Sequence, residues 1–173
     1  MKVDTSALTH VKHNIAPVYD DRSKILILGS FPSVKSREQI FFYGHPQNRF
    51  WKVISTILGA QPPQTVAEKR KMLLDNGIAV WDVVAECDIV GSQDSTIAAV
   101  IPNAIDELIK RSQIKAIILN GKTAYNLYMK YLAERIDLKA TLLPSTSPAN
   151  ATWSTTKLIE QWSIIKEYVN QEP

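Results

Sequence analysis

A single cysteine, Cys87, stands among 173 residues, so no disulfide can form within the chain and no cysteine-ligated zinc or iron–sulfur centre can be assembled. Long apolar runs are missing too. Nothing approaches the roughly 18 residues that would span a bilayer, and the N-terminus lacks the apolar core of a signal peptide. The expectation is a chain without membrane contact that works in the cytoplasm, nucleoid-associated in a prokaryote. Repeats, low-complexity tracts and long linkers are also lacking. Histidine is scarce, and His10, His13 and His45 make no metal triad, because no third ligand accompanies the His10–His13 pair. No Gly-x-Ser-x-Gly elbow and no Ser–His–acid set occurs, which argues against a serine hydrolase. Charge of one sign is barely in excess, at +3 with a sequence pI near 8.9. That permits contact with a polyanion without demanding it.

What is present is the composition of a folded chain, 45% hydrophobic and 21% charged, which excludes disorder as a description of the whole. Its length suits one domain over residues 1–173 and scarcely two; residues 1–23, polar and irregular, read as an N-terminal arm or edge element. Lys24-Ile-Leu-Ile-Leu-Gly29, Ile78-Ala-Val-Trp-Asp82 and Ile114-Lys-Ala-Ile-Ile-Leu-Asn120 are short continuous apolar runs, and Ala140-Thr-Leu-Leu-Pro144 is a weaker fourth. Strands apolar on both faces lie between helix layers. Helical patterns alternate with them. Arg49–Leu58 carries apolar residues at helical spacing. Thr65-Val-Ala-Glu68 is a capping box opening a helix that stops at Asn76-Gly77. Asn103 can cap Ala104–Arg111, Gly121–Tyr131 follows the third run, and Ser154 or Thr155 opens a last helix reaching Val169. The fold class expected is α/β, a three-layer αβα sandwich around a central, mainly parallel four-stranded sheet.

In such sheets ligands bind beyond the carboxyl ends of the strands. Gly29-Ser-Phe-Pro-Ser33 can present backbone N–H groups to an anion or a base edge, or be an ordinary turn with Phe31 in the core. Pro144-Ser-Thr-Ser-Pro-Ala-Asn150 sets consecutive hydroxyls between two prolines, suited either to phosphate contact or to a solvated turn. In Tyr43-Gly-His-Pro-Gln-Asn-Arg-Phe-Trp51, Pro46 can start a helix and so place Asn48 in its first turn, where an amide can hold a water beside a stacking aromatic. Phe50 and Trp51 read as packing residues. Asn120 ends an apolar strand, where an unpaired amide is costly; it is a satisfied turn residue or a reader of a ligand edge. Lys122 reads as a helix-start residue.

These segments resemble the uracil-DNA glycosylase superfamily. Gly29-Ser-Phe-Pro-Ser33 stands in the place of its first motif and Leu143-Pro-Ser-Thr-Ser-Pro-Ala-Asn150 in that of its second. Tyr43-Gly-His-Pro-Gln-Asn-Arg-Phe-Trp51 is similar to a stretch of the mismatch-specific enzymes. The closest resemblance is to the hypoxanthine (deoxyinosine) branch, and it runs from about Tyr19 to the last helix. Phe31 stands where mismatch-specific relatives keep a water-holding asparagine, and Leu143 where others keep His or Asn. This sets the chain apart from ordinary uracil excision.

The resemblance implies hydrolysis of the N-glycosidic bond of a deaminated base flipped out of DNA. Asn48 is implied as the catalytic side chain. Tyr43, Phe31 and Asn120 would hold the base, and Gly29, Ser30, Ser145, Thr146, Ser147 and Asn150 would touch DNA. No lysine suggests itself for a Schiff base, so a monofunctional enzyme is expected, monomeric and with no metal or organic cofactor. The substrate could be hypoxanthine, uracil or xanthine. The other readings are a uracil- or mismatch-specific glycosylase, and a non-catalytic α/β module binding a nucleotide or a protein.

Overall fold

Ile25-Leu26-Ile27-Leu28 is apolar at every position because its strand is covered on both faces. The computed structural model, which describes residues 8–169, runs in the order β1 (Leu8–Lys12), β2 (Ile25–Gly29), α1 (Val34–Gln39), α2 (Phe50–Leu58), α3 (Val66–Asp75), β3 (Ile78–Asp82), β4 (Val84–Val90), β5 (Ala98–Pro102), α4 (Ile105–Lys110), β6 (Ala116–Asn120), α5 (Lys122–Tyr131), β7 (Lys139–Leu143), α6 (Thr155–Trp162) and α7 (Lys166–Val169). The four apolar runs form one all-parallel sheet in the order β3-β2-β6-β7.

The period of two along each strand divides the core. Ile25, Ile27, Ile78, Val80, Ala116 and Ile118 face one layer, with Phe50, Val53 and Ile54 of α2, Leu73 of α3 and Leu158 and Trp162 of α6. Leu26, Leu28, Ala79, Ile117 and Leu119 face the other, with Ile105 and Leu108 of α4 and Ala124 and Tyr128 of α5. The sandwich expected from the sequence is therefore the fold.

Local signals set most element ends. Thr65 Oγ1 accepts from the Glu68 N–H at 3.1 Å, and the Glu68 carboxylate accepts from the Gln64 N–H at 2.7 Å, so the box closes one residue earlier than its standard form. Ser154 caps α6 through the Lys157 N–H. The last helix is shorter than its pattern, broken into α6, a 3₁₀ turn and α7. Asn48 does not sit in the first turn of α2. It precedes the cap residue Arg49, and its Oδ1 accepts the Phe50 N–H at 2.9 Å.

A second sheet was not expected. β1, β4 and β5 pair antiparallel in the order β1-β4-β5, with register irregularities between β4 and β5. Its apolar side (Val84, Cys87, Ile89) packs into the core layer that holds α4 and α5, while β5 stays largely exposed. The arm thus supplies an edge strand from Leu8; the residues before it lie outside those described. Asn103 does not cap α4. Its Nδ2 donates to the carbonyls of Asp82 at 2.9 Å and Val84 at 3.2 Å, clamping the bend where β3 leaves one sheet and β4 enters the other.

Two measurements test this account. Asn103 is buried, so Asn103→Ala leaves two carbonyls unpaired and should lower unfolding free energy by about 1–3 kcal/mol in a denaturant titration. His10 sits across from β4, with Nδ1 2.7 Å from Asp88 and Nε2 3.1 Å from Glu86. The Asp88 bond, then the Glu86 bond, raise its pKa above the ordinary 6.5. A raised folded value means that this attraction is complete below about pH 6.5 and fades as pH climbs through the raised midpoint. An NMR titration should place the His10 midpoint above 6.5, and Asp88→Asn should move it back down.

Candidate active site

The four parallel strands end on Gly29, Asp82, Asn120 and Leu143, and three of these ends are polar or bare. Gly29 is glycine for a steric reason. A Cβ there would lie 2.5 Å from Asp82 Oδ1 and 3.2 Å from the Tyr43 hydroxyl, so the missing side chain is the space those two groups occupy. Asp82 is buried, and its Oδ2 lies 2.7 Å from His13 Nε2. The Ile15 N–H donates to His13 Nδ1, which puts the imidazole hydrogen on Nε2, facing the carboxylate.

Tyr43 holds a left-handed backbone, φ 52°, and its ring stacks on Phe50 at 4.0 Å between centroids. Its hydroxyl points down among Gly29, Asp82 and Asn120, making no well-formed hydrogen bond. Burial foremost, and then the Asp82 charge, drive the phenol pKa far upward; the Asn120 amide opposes them. The phenol therefore stays neutral, a polar atom buried among the strand ends.

Asn120 is buried, with both ends of its amide held by Thr146 and one Nδ2 hydrogen left over. Its Oδ1 accepts the Thr146 N–H at 3.0 Å and its Nδ2 donates to Thr146 Oγ1 at 3.0 Å. Thr146 Oγ1 in turn donates to Asn48 Oδ1 at 2.9 Å. The Thr146 carbonyl accepts the Arg49 N–H at 3.1 Å. One hydrogen-bonded chain, Asn120–Thr146–Asn48, thus joins the end of β6, the loop after β7 and the entry to α2. Asn48 Oδ1 carries two donors, Phe50 N–H and Thr146 O–H, so the Nδ2 amino group is the end left for a ligand.

The other residues named from the sequence fall into three groups. Ser145 packs on Gly121, whose φ is 96° and whose Cβ would lie 2.9 Å from Ser145 Cβ; the two loops meet there because neither side chain is larger. Ser145 and Ser147 accept the N–H groups of Ser147 and Ala149, and Asn150 Nδ2 donates to the Ser145 carbonyl. The loop is therefore built on internal turns, with these three residues half-buried. Thr146, expected to touch DNA, is fully buried and spends every polar atom on protein. Ser30 gives its hydroxyl to Asp94 at 2.9 Å, a carboxylate that would repel a phosphate on that side. Phe31 is a core residue, between the His13 ring at 5.9 Å and the Arg37 guanidinium at 5.5 Å, and it belongs to the core layer opposite the one that holds Phe50 beneath Tyr43. Leu143 is likewise buried.

Three contributors were not read from the sequence. Arg49 enters the sequence only as the first residue of a helical pattern, but its guanidinium donates to the carbonyls of Ser147 at 3.0 Å, Asn150 at 3.1 Å and Trp153, holding the second loop to the start of α2. Asp82 could have been noticed by the signal that marked Asn120, a polar residue closing an apolar strand. His13 carries no local signal at all.

A covered parallel sheet whose carboxyl edge gathers polar groups, a glycine turn and a Ser/Thr-rich loop belongs to the class of α/β proteins in which ligands bind at strand ends. Comparison narrows the class. Residues 16–168 match the family model described as the uracil DNA glycosylase superfamily. A hypoxanthine DNA glycosylase of Methanosarcina acetivorans is 31% identical, over 90% of this chain and 98% of that one. Another from Methanosarcina barkeri is 33% identical, over 64% of this chain and 72% of its own. A solution structure from M. acetivorans, provisionally described as a uracil DNA glycosylase, superposes with a TM-score of 0.80 at 30% identity, covering 94% of this chain and all of that one. The chain belongs to the uracil DNA glycosylase superfamily. Among the described residues, no helix is long and apolar enough to cross a membrane.

The clamp by Arg49 is open to test. Arg49→Met removes the charged donors to three carbonyls and should lower stability by about 1.5–3 kcal/mol in chemical unfolding. Unchanged stability would show that the loop holds without it.

Proposed function

We propose that this protein is a monofunctional, monomeric DNA glycosylase that hydrolyses the N-glycosidic bond of a deaminated base, with hypoxanthine as the preferred substrate and Asn48 as the catalytic side chain. The observation that carries the proposal is the state of Asn48. Its carbonyl is fixed by two donors, and its amino group, beside the strand ends, takes no protein partner. Phe31 and Leu143, at the motif positions where relatives keep polar groups, are buried in the core, and neither can hold water. Two relatives that cover much of the chain are hypoxanthine DNA glycosylases, which supports the choice of base.

In this reading the deaminated nucleotide leaves the stack and its base enters beside Tyr43, whose ring is already supported from below by Phe50. Asn120, at the end of β6, turns the Nδ2 hydrogen that Thr146 leaves unused toward the base edge. Asn48 Nδ2 donates to one lone pair of a water and leaves the other directed at C1′. An amide is no general base near neutral pH, so its contribution is placement. As the C1′–N bond lengthens, its electrons go to the departing purine, the sugar becomes cationic, and water adds at C1′ with loss of a proton to solvent. Backbone N–H groups of the strand-end loops and the DNA phosphates stabilise the separating charges. Ser145, Ser147 and Asn150, with Gly29 and the backbone of Ser30, shape the face that meets the phosphates around the lesion.

Duplexes carrying hypoxanthine, uracil or xanthine, incubated with the protein and then treated with alkali, test the assignment. Excision should be fastest at hypoxanthine, and strands should open only after alkali. Asn48→Ala should slow single-turnover excision by about 100-fold or more with duplex affinity kept. Near-normal excision with a lowered melting point would reduce Asn48 to a brace for the start of α2.

A further inference from the structure

We propose that Thr146 is a positioning residue, setting the rotamer and the amide direction of Asn48 through its hydroxyl, and that it takes no part in contacting DNA. The inference rests on the catalytic reading of Asn48 above.

The direction of each hydrogen bond in the chain is forced. Thr146 N–H can only donate, so the atom of Asn120 facing it is Oδ1. Asn120 Nδ2 therefore faces Thr146 Oγ1 and donates to it. With one lone pair so occupied, the hydroxyl sends its own hydrogen to Asn48 Oδ1. Phe50 N–H, which also can only donate, fixes the same oxygen from the other side. No link can be reversed without leaving a polar atom unpaired, and Thr146 is wholly buried, where that loss costs most. The consequence for chemistry is that the Asn48 amide cannot rotate freely: its Nδ2 hydrogens are held toward the ligand. The Phe50 bond alone ties Asn48 to its own helix. Only Thr146 ties it to the end of β6, where the base is read. A β-branched residue suits the task, since its χ1 is stiff once buried.

The experiment combines single-turnover excision from a hypoxanthine duplex, affinity for the same duplex, and the NMR signals of the Asn48 side-chain amide. Thr146→Val keeps the shape and removes the hydroxyl. It should slow excision by about 10- to 100-fold, with affinity within about threefold, and let the Asn48 amide signals collapse toward those of a mobile side chain. Thr146→Ser, which restores the hydroxyl, should recover excision to within about threefold of the unaltered protein. In the double variant Asn48→Ala/Thr146→Val the two losses should not multiply, because both act through one amide. If Asn48→Ala is slow while Thr146→Val is normal, the positioning role falls and the catalytic reading survives. If Asn48→Ala itself is normal, both fall. Thr146→Ser as slow as Thr146→Val would show that restoring the hydroxyl does not restore the rate, and would overturn the proposal. Should Thr146→Val fail to fold, Asn120→Asp removes the Nδ2–H donor at nearly constant volume; the Thr146 hydroxyl then turns to the carboxylate and leaves Asn48. Its amide signals must then collapse, and unchanged signals overturn the inference.

Discussion

Asn120 closes a strand that is buried on both faces, and a buried amide left unpaired would cost about 1–3 kcal/mol. Thr146 satisfies both ends of that amide. To do so, the loop after β7 must cross the end of β6 at one height, and Gly121 and Ser145 must pass each other within a contact that only small residues allow. The Thr146 hydroxyl hydrogen then reaches Asn48, and its carbonyl takes the Arg49 N–H. Arg49 returns the favour by gripping the carbonyls of Ser147, Asn150 and Trp153. The two loops and the entry to α2 are thus one hydrogen-bonded body, whose parts lie about a hundred residues apart in sequence.

A second polar knot sits across β2 from the first. Asp82 ends β3 where the chain turns from the parallel sheet into the antiparallel one, and Asn103 braces the turn through its backbone. The carboxylate is bound on one side by His13, carried in by the segment that follows β1, and lies on the other side against Gly29. The second sheet is therefore no ornament to the strand-end crevice. It brings the arm within reach of Asp82 and packs Cys87 and Ile89 beneath Phe31 in the shared core. The hydroxyl of Tyr43 completes the floor, neutral because burial and the Asp82 charge both resist its ionisation.

Chemically, the strand ends gather fixed dipoles: the Asn120 amide, the Thr146 hydroxyl and the Asn48 amide. Such a site suits a reaction whose charges appear late, because preorganised donors need not reorganise as the bond breaks. Membership of the uracil DNA glycosylase superfamily rests on the match across residues 16–168 and on relatives that share the whole domain. The absence of a polar side chain at Phe31 and Leu143 makes the inward-facing amides of Asn48 and Asn120 the polar centre of this member.

The four core strands, five of the flanking helices and the two strand-end loops were legible in the sequence because they depend on local facts: continuous apolar runs, capping residues, and polar residues or glycine where a strand ends. The second sheet was not, since β4 is only partly buried and β5 largely exposed, and their pairing depends on partners distant along the chain. Asn48, Tyr43 and Asn120 could be named as candidates, but not the state in which each is held. Asn103 looked like a cap by the residues after it, and the carbonyls at the Asp82 bend claimed its amide instead. Thr146 looked like a phosphate contact among hydroxyls, and the buried Asn120 amide drew it inward. Residue type and spacing determine which groups are available and what each could bond. Which bond forms is decided by burial, because a polar group shut away from water must take whatever partner the tertiary fold sets within 3 Å, however far away it lies in sequence.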